Sequence, residues 1–489
     1  MSVYTDVLLE AAFQAYGAGR ASEAEAILPM VIGQCGNDGH ALYFLGHLYY
    51  LQGRLDDAGW ALTRALGINP NQARAHNDLG ETLRARGRNE DALAHLERAI
   101  VLEPSLAHAY GNLAAVLVAL DRPQDALRWS QESLHRATDK AVAHCDLGSV
   151  FGRLGRTREA IRQYDLALEL QPGNPRAHYF RSLMRLTLGL MPDAWAEHEA
   201  RLALPASLSG ARGFAETRWT GQEDLAGRTI LLHAEQGLGD TIQFVRYVPL
   251  VAARGATVLV EVQRGLRALC ATIPGAARVF EAGDPLPRFD LHCPLMSLPA
   301  AFGTDLGSIP ASVPYLPVDA SIHADWSRTL GPWRKMRVGL AWSGSAQHAA
   351  DRNRSASLEV LAPLLNRSDI DCHVIQRDVR EADRQAMTKF PYLRDHSAGL
   401  TDFSQTAALV ASMDLVIAVD TAVAHLAGIL NVPTWVMLAH SADWRWMRDR
   451  DDSPWYPSLR LFRQKQRGDW ASVIEQVCAN LDQWAVRRG

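Results

Sequence analysis

The sequence has no excess of positive charge, few cysteines and no long apolar run. Its 489 residues include 50 Lys and Arg against 54 Asp and Glu, which gives a formal net charge of −4. Because binding to a nucleic-acid backbone depends on clustered positive charge, this balance argues against a nucleic-acid-binding protein. The longest apolar run, Leu113–Leu120, is much shorter than the roughly 20 residues that a membrane-spanning helix needs.

Signals for secretion and for disulfide bonding are also missing. The chain starts MSVYTDVLLEAA, with an acidic residue and no basic segment, which argues against a secretory signal. The six cysteines lie far apart and form no Cys-x-x-Cys pair, so free thiols in a reducing compartment are favoured over a disulfide framework or a zinc site. We therefore predict a soluble cytoplasmic protein, and at about 100–200 residues per domain its length allows roughly two to four domains.

The first half of the chain repeats with a period of 34 residues, starting at Thr5. Glycine stands at the fifteenth place of five of the six successive rows, and the eighth place always holds a small residue. Such residues let two helices of one unit approach closely, and glycine ends the first of them. The twentieth place is alanine in every row: Ala24, Ala58, Ala92, Ala126, Ala160 and Ala194. This pattern resembles the tetratricopeptide repeat, over residues 5 to about 204.

The tetratricopeptide resemblance implies a superhelix whose concave groove holds a peptide or a protein. The sixth place of three central repeats holds Asp78, Asn112 and Asp146. Their amide and carboxylate groups lie one repeat apart, so we predict that they bind an extended peptide backbone. Two alternatives stay open, namely three solvated polar residues on an exposed helix face, and a groove used for self-association into a homo-oligomer.

The second half of the chain has the residue pattern of an α/β protein. The 34-residue pattern is no longer recognisable after Arg201, and residues 205–213, PASLSGARG, are predicted to form a linker. From about residue 214, short apolar segments alternate with glycine-rich turns and helical segments, which is typical of parallel sheets covered on both faces. The predicted strands are Thr229–His233, Thr257–Glu261, Arg337–Trp342, Cys372–Gln376, Leu415–Val419 and Thr434–Leu438.

A second linker-like segment, residues 313–333, separates these strands into two groups. We therefore predict two Rossmann-like lobes with a cleft between them, an N-terminal lobe over residues 214–325 and a C-terminal lobe over residues 326–489. Three loops that follow predicted strands carry the polar residues best suited to chemistry.

The first of these loops runs from Glu235 to Gln243 and contains Gly237 and Gly239. The glycines are expected to permit a tight turn, and the free N–H groups of the following helix suit an anion or a polar substrate. Because the third glycine of a dinucleotide fingerprint is missing, that function is not indicated. An ordinary strand-to-helix turn is the alternative.

The second loop joins Ser343 and Gly344 to Arg352 and Arg354. Arginine binds phosphate oxygens through paired N–H groups, and small residues leave room for the phosphate. This combination predicts a phosphate-binding loop, with a solvent-exposed loop as the alternative.

The third loop places Asp420, Thr421 and His425 directly after the predicted strand Leu415–Val419. A carboxylate, a hydroxyl and an imidazole then lie at the carboxyl edge of a parallel sheet, where ligands bind. Thr421 is also expected to cap the next helix. A plain helix cap without a ligand is the alternative.

The Gly239-Asp240 turn, the Ser/Gly-and-Arg loop and the motif D-T-x-x-x-H-L-A, in this order, resemble the ADP-heptose:lipopolysaccharide heptosyltransferase family, which is glycosyltransferase family nine. The resemblance covers residues 225–480. It implies a GT-B fold with the donor nucleotide on the C-terminal lobe and the acceptor mainly on the N-terminal lobe. It also implies an inverting transfer that uses neither a metal nor a cofactor besides the nucleotide-sugar. Ala422 departs from the family pattern, which usually has glycine at that place.

The family resemblance assigns roles to particular residues. Asp240 matches the family's candidate general base, and a purely capping Asp240 is the alternative. Glu235 is a second candidate from its position alone, because burial in a closed cleft would raise the pKa of a loop glutamate. Gly237, Gly239 and Gln243 form the acceptor-side loop. The donor-binding residues that the resemblance and the loops imply are Ser343, Gly344, Arg352, Arg354, Asp420, Thr421 and His425.

The combination of repeats with such a domain resembles bacterial repeat-bearing protein O-glycosyltransferases, including enzymes that modify flagellin. The sequence thus predicts an α + α/β protein, with a repeat superhelix over residues 1–204 followed by a GT-B unit. It is expected to move a sugar from a nucleotide-sugar to a protein acceptor. Two other functions stay open: a scaffold whose GT-B domain only senses nucleotide-sugars, and a lipopolysaccharide sugar transferase whose repeats bind a partner enzyme.

Overall fold

The computed structural model describes residues 3–20, 23–24, 26–27, 30–31, 33, 38–205, 212–346 and 351–488. Its contacts divide the chain into two compact units, Met1–Asn174 and Pro175–Gly489. No helix in these described ranges is both long enough and apolar enough to cross a membrane. The five cysteines they include are free thiols, four of them buried, whereas Cys35 lies outside them.

The first unit is an array of helix pairs that follow the 34-residue period. Its helices are α1 (Val3–Gly17), α2 (Gly39–Leu51), α3 (Leu55–Ile68), α4 (Ala73–Ala85), α5 (Asn89–Leu102), α6 (Ala107–Ala119), α7 (Pro123–Arg136), α8 (Lys140–Arg153) and α9 (Thr157–Leu170). The predicted repeat architecture is therefore confirmed over these helices.

Close helix packing explains the small residues of the repeat. A Cβ atom added to Gly80 would lie 2.6 Å from Leu96 Cγ, so only glycine lets α4 approach α5 this closely. After α2, Gly53 takes a left-handed conformation with φ of 75° and ends the helix. Asp121, which replaces glycine at this place in one repeat, also has a positive φ, of 61°.

The second unit begins with the sixth helix pair, α10 (Pro175–Thr187) and α11 (Met191–His198), followed by a 3-10 turn at Glu199–Ala203. This differs from the predicted boundary, which placed all six repeats in one domain that ended at residue 204. The physical reason is that buried side chains of α10 and α11, among them Trp195, belong to one hydrophobic core with the sheets that follow. Residues 206–211 of the predicted linker lie outside the described residues.

The N-terminal lobe contains a parallel sheet with strand order β1-β5-β2-β3-β4. Its elements are β1 (Thr217–Arg218), β2 (Thr229–His233), α12 (Leu238–Phe244), α13 (Val248–Ala252), β3 (Thr257–Val262), α14 (Arg267–Cys270), β4 (Ala276–Glu281), β5 (Leu291–Pro294) and α15 (Leu298–Ala301). Strand β2 is central and almost entirely buried, so the loop that follows it emerges from the middle of the sheet.

The C-terminal lobe contains a second parallel sheet, with strand order β11-β10-β9-β6-β7-β8. Its elements are α16 (Ala320–Leu330), β6 (Met336–Ala341), α17 (Asp351–Arg354), α18 (Ala362–Leu365), β7 (Ile370–Val374), α19 (Glu381–Met387), β8 (Arg394–Asp395), α20 (Phe403–Ala411), β9 (Leu415–Val419), α21 (Ala422–Ile429), β10 (Thr434–Leu438), β11 (Leu459–Arg463) and α22 (Trp470–Arg488). The predicted fold class, a repeat array followed by an α/β unit of two parallel-sheet lobes, is confirmed.

Residues 313–333, predicted to be a crossover linker, contain helix α16. Asp319 caps this helix by accepting hydrogen bonds from Ser321 N at 2.8 Å and Ile322 N at 3.0 Å. The helix buries Trp326 and Leu330. The segment lies between the two sheets, as predicted, but part of it is a helix that the sequence analysis did not expect.

Candidate functional site

The loops after the central strands of the two sheets meet between the lobes. Helix α12 of the N-terminal lobe packs against α21 of the C-terminal lobe. The approach is closest at Gly239, where an added Cβ atom would lie 2.9 Å from His425 Cδ2. Gly237 has an ordinary φ of −77°. Gly239 does not have a positive φ either, so the turn requires glycine at neither position, and the requirement at position 239 comes from packing between the lobes.

Asp240 lies in the first turn of α12, and both of its carboxylate oxygens are engaged. Oδ2 accepts a hydrogen bond from Gly237 N at 2.6 Å, which caps the helix. Oδ1 forms an ion pair with Arg445 Nη2 from the C-terminal lobe. The side chain keeps 16% of its surface exposed, so a substrate can still reach it. Asp240 therefore has the capping geometry of the alternative interpretation and also an accessible position between the lobes.

Arg445 is the residue that the sequence analysis missed. Its Nε donates to Gln243 Oε1 at 2.7 Å and its Nη1 donates to Asp443 Oδ1 at 2.8 Å, while Nη2 pairs with Asp240. The guanidinium also lies 4.3 Å from the ring centroid of Trp444. One arginine, with 9% of its side chain exposed, thus joins the acceptor-side loop to the C-terminal lobe.

Asp420 directly follows β9, close enough to Arg445 for their charges to interact. Burial and the negative charge of Asp443 raise the pKa of Asp420 to about 6, although the positive charges of Arg354 and Arg445 act in the opposite direction. The next residue, Thr421, accepts a hydrogen bond from Val423 N at 3.1 Å, so the predicted cap of α21 is confirmed. The site therefore combines carboxylates of both lobes with two arginines.

The loop after β6 brings Gly344 and Arg354 together. A Cβ atom added to Gly344 would lie 2.6 Å from Arg354 Nη2, so the guanidinium lies directly over the glycine. Arg354 Nε is buried and has no hydrogen-bond partner among the described residues. Ser343 is held by Gln376, whose Nε2 donates to Ser343 Oγ at 3.0 Å. Arg352 is exposed on α17.

Glu235, the second candidate base, is sequestered. Its side chain and that of Arg201 are both fully buried, and Arg201 Nη2 donates to Glu235 Oε2 at 2.8 Å. Burial raises the pKa of Glu235, whereas the charge and hydrogen bonds of Arg201 act in the opposite direction. A carboxylate enclosed in this pair is not placed to take a proton from an acceptor between the lobes.

His425 packs against Gly239 of the N-terminal lobe, and it also feels the positive charge of Arg354. Its Nδ1 lies 2.8 Å from the hydroxyl of Tyr456, and its ring stacks on Trp446 at a centroid distance of 5.2 Å. Burial lowers the pKa of His425 well below its usual value, so the imidazole stays neutral. Its predicted contact with the donor remains a prediction, whereas its packing against α12 is direct.

In the first unit, the ladder of polar residues is part of a hydrogen-bonded network. Asn112 Nδ2 donates to Asn77 Oδ1 at 3.0 Å, and Asn77 Nδ2 donates to Asp78 Oδ1 at 3.1 Å. His47 Nδ1 lies 2.8 Å from Asp78 Oδ2, so the network joins α2, α4 and α6. Asp78 is buried, and the alternative of a solvated side chain is wrong for it. Asp146 lies next to α6, with Oδ2 3.7 Å from the position of a Cβ atom on Gly111. Peptide binding by these residues remains a prediction.

Sequence models of known families match both parts of the chain. Tetratricopeptide-repeat models match residues 39–72, 80–121, 105–172 and 145–207, and the model of glycosyltransferase family 9 (heptosyltransferase) matches residues 380–470. The chain is therefore similar to tetratricopeptide-repeat proteins in its first part and to glycosyltransferase family 9 over residues 380–470. The family 9 match includes Asp420, Thr421, His425 and Arg445. Asp240, Gly344 and Arg354 lie outside the matched segment, so their assignment rests on the geometry and on the resemblance described above.

Individual relatives cover only part of the chain. Protein FlbA of Caulobacter vibrioides is 27% identical over 351 residues, which are 64% of this chain and 57% of FlbA. The chain therefore spans little more than half the length of this curated relative. Among solved structures, MamA is 28% identical over 32% of this chain and 91% of that chain, with a TM-score of 0.28. TTC0263, a tetratricopeptide-repeat protein of Thermus thermophilus, is 22% identical over 37% of this chain and 99% of that chain, with a TM-score of 0.34.

Proposed function

We propose that this protein is a cytoplasmic glycosyltransferase that moves a sugar from a nucleotide-sugar to a protein acceptor held by its repeats. The observation that carries the proposal is the site between the lobes, where Asp240 meets Arg445 beside Asp420 and Arg354. The family 9 match supports a glycosyltransferase, and repeat arrays of this kind commonly present a groove to a protein. Flagellin is the acceptor to which the resemblance points.

The proposed reaction is a direct displacement at the anomeric carbon. The acceptor oxygen attacks this carbon, Asp240 takes the acceptor proton, and the bond from the sugar to the nucleotide phosphate breaks. The electron pair of that bond leaves with the phosphate, so negative charge grows on the nucleotide. A guanidinium and the N–H groups at the start of a helix can stabilise this charge without rearranging.

The donor phosphates are proposed to bind at Arg354 and Gly344, next to the start of α21. Arg354 carries a buried Nε without a partner among the described residues, which is a costly arrangement unless a ligand supplies the acceptor. Gly344 leaves the space in front of the guanidinium free of a side chain. Ser343, Arg352, Asp420, Thr421 and His425 complete the set of proposed donor-binding residues.

We expect Arg354→Ala to weaken nucleotide binding by about 1.5–3 kcal/mol, the range of a hydrogen bond to a charged group. Titration calorimetry with the free nucleotide measures the change. Arg377→Ala is the matched control, because Arg377 is an exposed arginine of the same lobe that pairs with Asp378. Equal affinity in wild type and Arg354→Ala would remove Arg354 from the donor site.

We expect chelation of divalent metal with EDTA to leave the transfer rate unchanged. The described residues contain no group of three or more His, Cys, Asp or Glu side chains arranged to hold a metal ion. Arg354 and Arg445 supply the positive charge that a metal would otherwise provide. The measurement compares rates with EDTA and after addition of Mg²⁺ or Mn²⁺. Loss of activity that either metal restores would contradict this expectation.

A donor screen tests the proposed function directly. Purified protein is incubated with UDP-, ADP-, GDP- and CMP-sugars, first with water and then with purified flagellin as the acceptor. We expect slow hydrolysis of one donor class and faster transfer to the protein acceptor. Nucleotide binding without turnover would favour a sensing scaffold, and transfer to lipopolysaccharide but not to protein would favour a lipopolysaccharide sugar transferase.

A further inference from the structure

The sixth repeat shares its hydrophobic core with both lobes of the second unit. Trp195 of α11 is buried and meets Phe244 of the N-terminal lobe edge-to-face at a centroid distance of 6.4 Å. It also meets Trp444 at 5.3 Å and Trp455 at 6.4 Å, both in the C-terminal lobe. A single side chain of the repeat therefore packs at the junction of the two lobes.

A buried ion pair joins the same repeat to the loop that carries Asp240. Arg201 donates from Nε to Glu235 Oε1 at 3.2 Å and from Nη2 to Glu235 Oε2 at 2.8 Å. It also donates to Glu199 Oε1 at 2.7 Å and to Ser297 Oγ at 2.8 Å. Because loss of one partner would leave a charge buried without compensation, this pair holds the start of the loop firmly.

The rest of the loop is fixed by hydrogen bonds that lead from Glu235 to Asp240. Gln263 Nε2 donates to Gln236 O at 2.9 Å, and Thr241 Oγ1 donates to Gln263 Oε1 at 2.8 Å. Asp240 then accepts from Gly237 N. A displacement of Glu235 would therefore also displace Gly237 and the carboxylate of Asp240.

The inner helix of the sixth repeat contacts the same region. Helix α10 packs against the 3-10 turn at Trp444–Trp446, which contains Arg445. Burial raises the pKa of Tyr179 on this helix, whereas a hydrogen bond with the Gln236 side chain and the charges of Arg201 and Arg445 act in the opposite direction. Both helices of the sixth repeat, α10 and α11, therefore contact residues that surround the site.

We infer that the sixth repeat, residues 175–203, is a component of the catalytic unit and that its Arg201 is a positioning residue for the Asp240 loop through the buried pair with Glu235. The catalytic part of this inference rests on the proposed function, whereas the structural part does not. In this arrangement Glu235 acts through the loop and does not touch the reacting atoms.

The test uses the full chain with Glu235→Gln, which keeps the shape of the side chain but removes its charge. Glu197→Gln is the matched control, because Glu197 is a carboxylate of the same repeat whose ion pairs are with Arg181 and Arg185 of that repeat. Ser297→Ala is a milder second variant, since it removes only the hydroxyl that accepts from Arg201 and donates to Glu199.

Hydrogen exchange in low concentrations of urea gives a readout that needs no substrate. We expect amides of 175–203 to open together with the sheets of the second unit, because segments of one cooperative unit exchange together. Glu235→Gln and Ser297→Ala should speed exchange in 235–244, and Glu197→Gln should not. If residues 175–203 open with the helices of the first unit, or the loop exchanges equally in all variants, the inference is overturned.

The second readout is the rate at which each variant hydrolyses the nucleotide-sugar that the wild-type protein hydrolyses. Glu235→Gln should lower kcat by about 10–100-fold, the scale of a small misplacement of reacting groups, while the Kd of the free nucleotide stays within about twofold. An unchanged kcat would overturn the positioning role. If the wild-type protein neither hydrolyses a donor nor transfers its sugar to the protein acceptor, the proposed function fails, and hydrogen exchange still decides the structural part of the inference.

Discussion

Replacement of Asp240 by Asn is expected to lower the rate of sugar transfer by about 10²–10⁴-fold, the usual contribution of a general base. Asparagine keeps the shape of the side chain and retains an oxygen that can accept the hydrogen bond from Gly237 N. It cannot take a proton from the acceptor. Nucleotide affinity should stay unchanged, because the proposed phosphate-binding residues lie in the other lobe. Single-turnover transfer and calorimetry measure the two quantities.

The control for this variant has to separate catalysis from helix capping. Asp319→Asn serves, because Asp319 caps α16 by the same type of hydrogen bond but lies outside the site. It should leave turnover at the wild-type level. A folded Asp240→Asn protein with nearly normal turnover would make Asp240 a structural partner of Arg445. Asp443, whose side chain is more exposed, would then be the next carboxylate to test.

Local sequence patterns predicted the scaffold of the site well. Strands Thr229–His233, Leu415–Val419 and Thr434–Leu438 begin and end where they were predicted, because each is a short apolar run bounded by polar or turn residues. Gly344 and Arg354 were assigned to one loop, and they lie in contact. Structural features that are set by residues adjacent in the sequence can thus be predicted from the sequence.

Features that depend on contacts between distant segments were not predictable in this way. Arg445 lies 205 residues from Asp240 in the sequence, and its ion pair forms only because the lobes meet at Gly239. Strand β4 was missed because it lies at the edge of its sheet and is only partly buried, so it lacks the apolar run of a central strand. Glu235 was considered a base because the sequence does not show its pairing with Arg201.

The division between the two compact units lies inside the predicted repeats for a similar reason. The 34-residue period continues through the sixth row, so a period alone assigns that row to the array. One place in the sixth row differs in kind from the same place in the earlier rows. The place after the invariant alanine holds Trp195 in the sixth row, whereas the earlier rows hold Glu25, Gly59, Leu93, Leu127 and Ile161. A large aromatic residue at this place is the signal that the sixth helix pair packs against something other than another repeat.

Replacement of Trp195 by Ala is expected to lower the free energy of unfolding of the second unit by about 3–5 kcal/mol, the range for removal of a large buried aromatic side chain. The indole packs edge-to-face against Phe244, Trp444 and Trp455, so its removal leaves a cavity at the junction of the two lobes. Urea unfolding of the full chain, followed by circular dichroism, measures the transition of each unit. Trp60→Ala is the control, because Trp60 of the first unit is 46% exposed and should change stability by no more than about 0.5 kcal/mol. Equal unfolding midpoints of the second unit in Trp195→Ala and wild type would show that the lobes hold together without the sixth repeat.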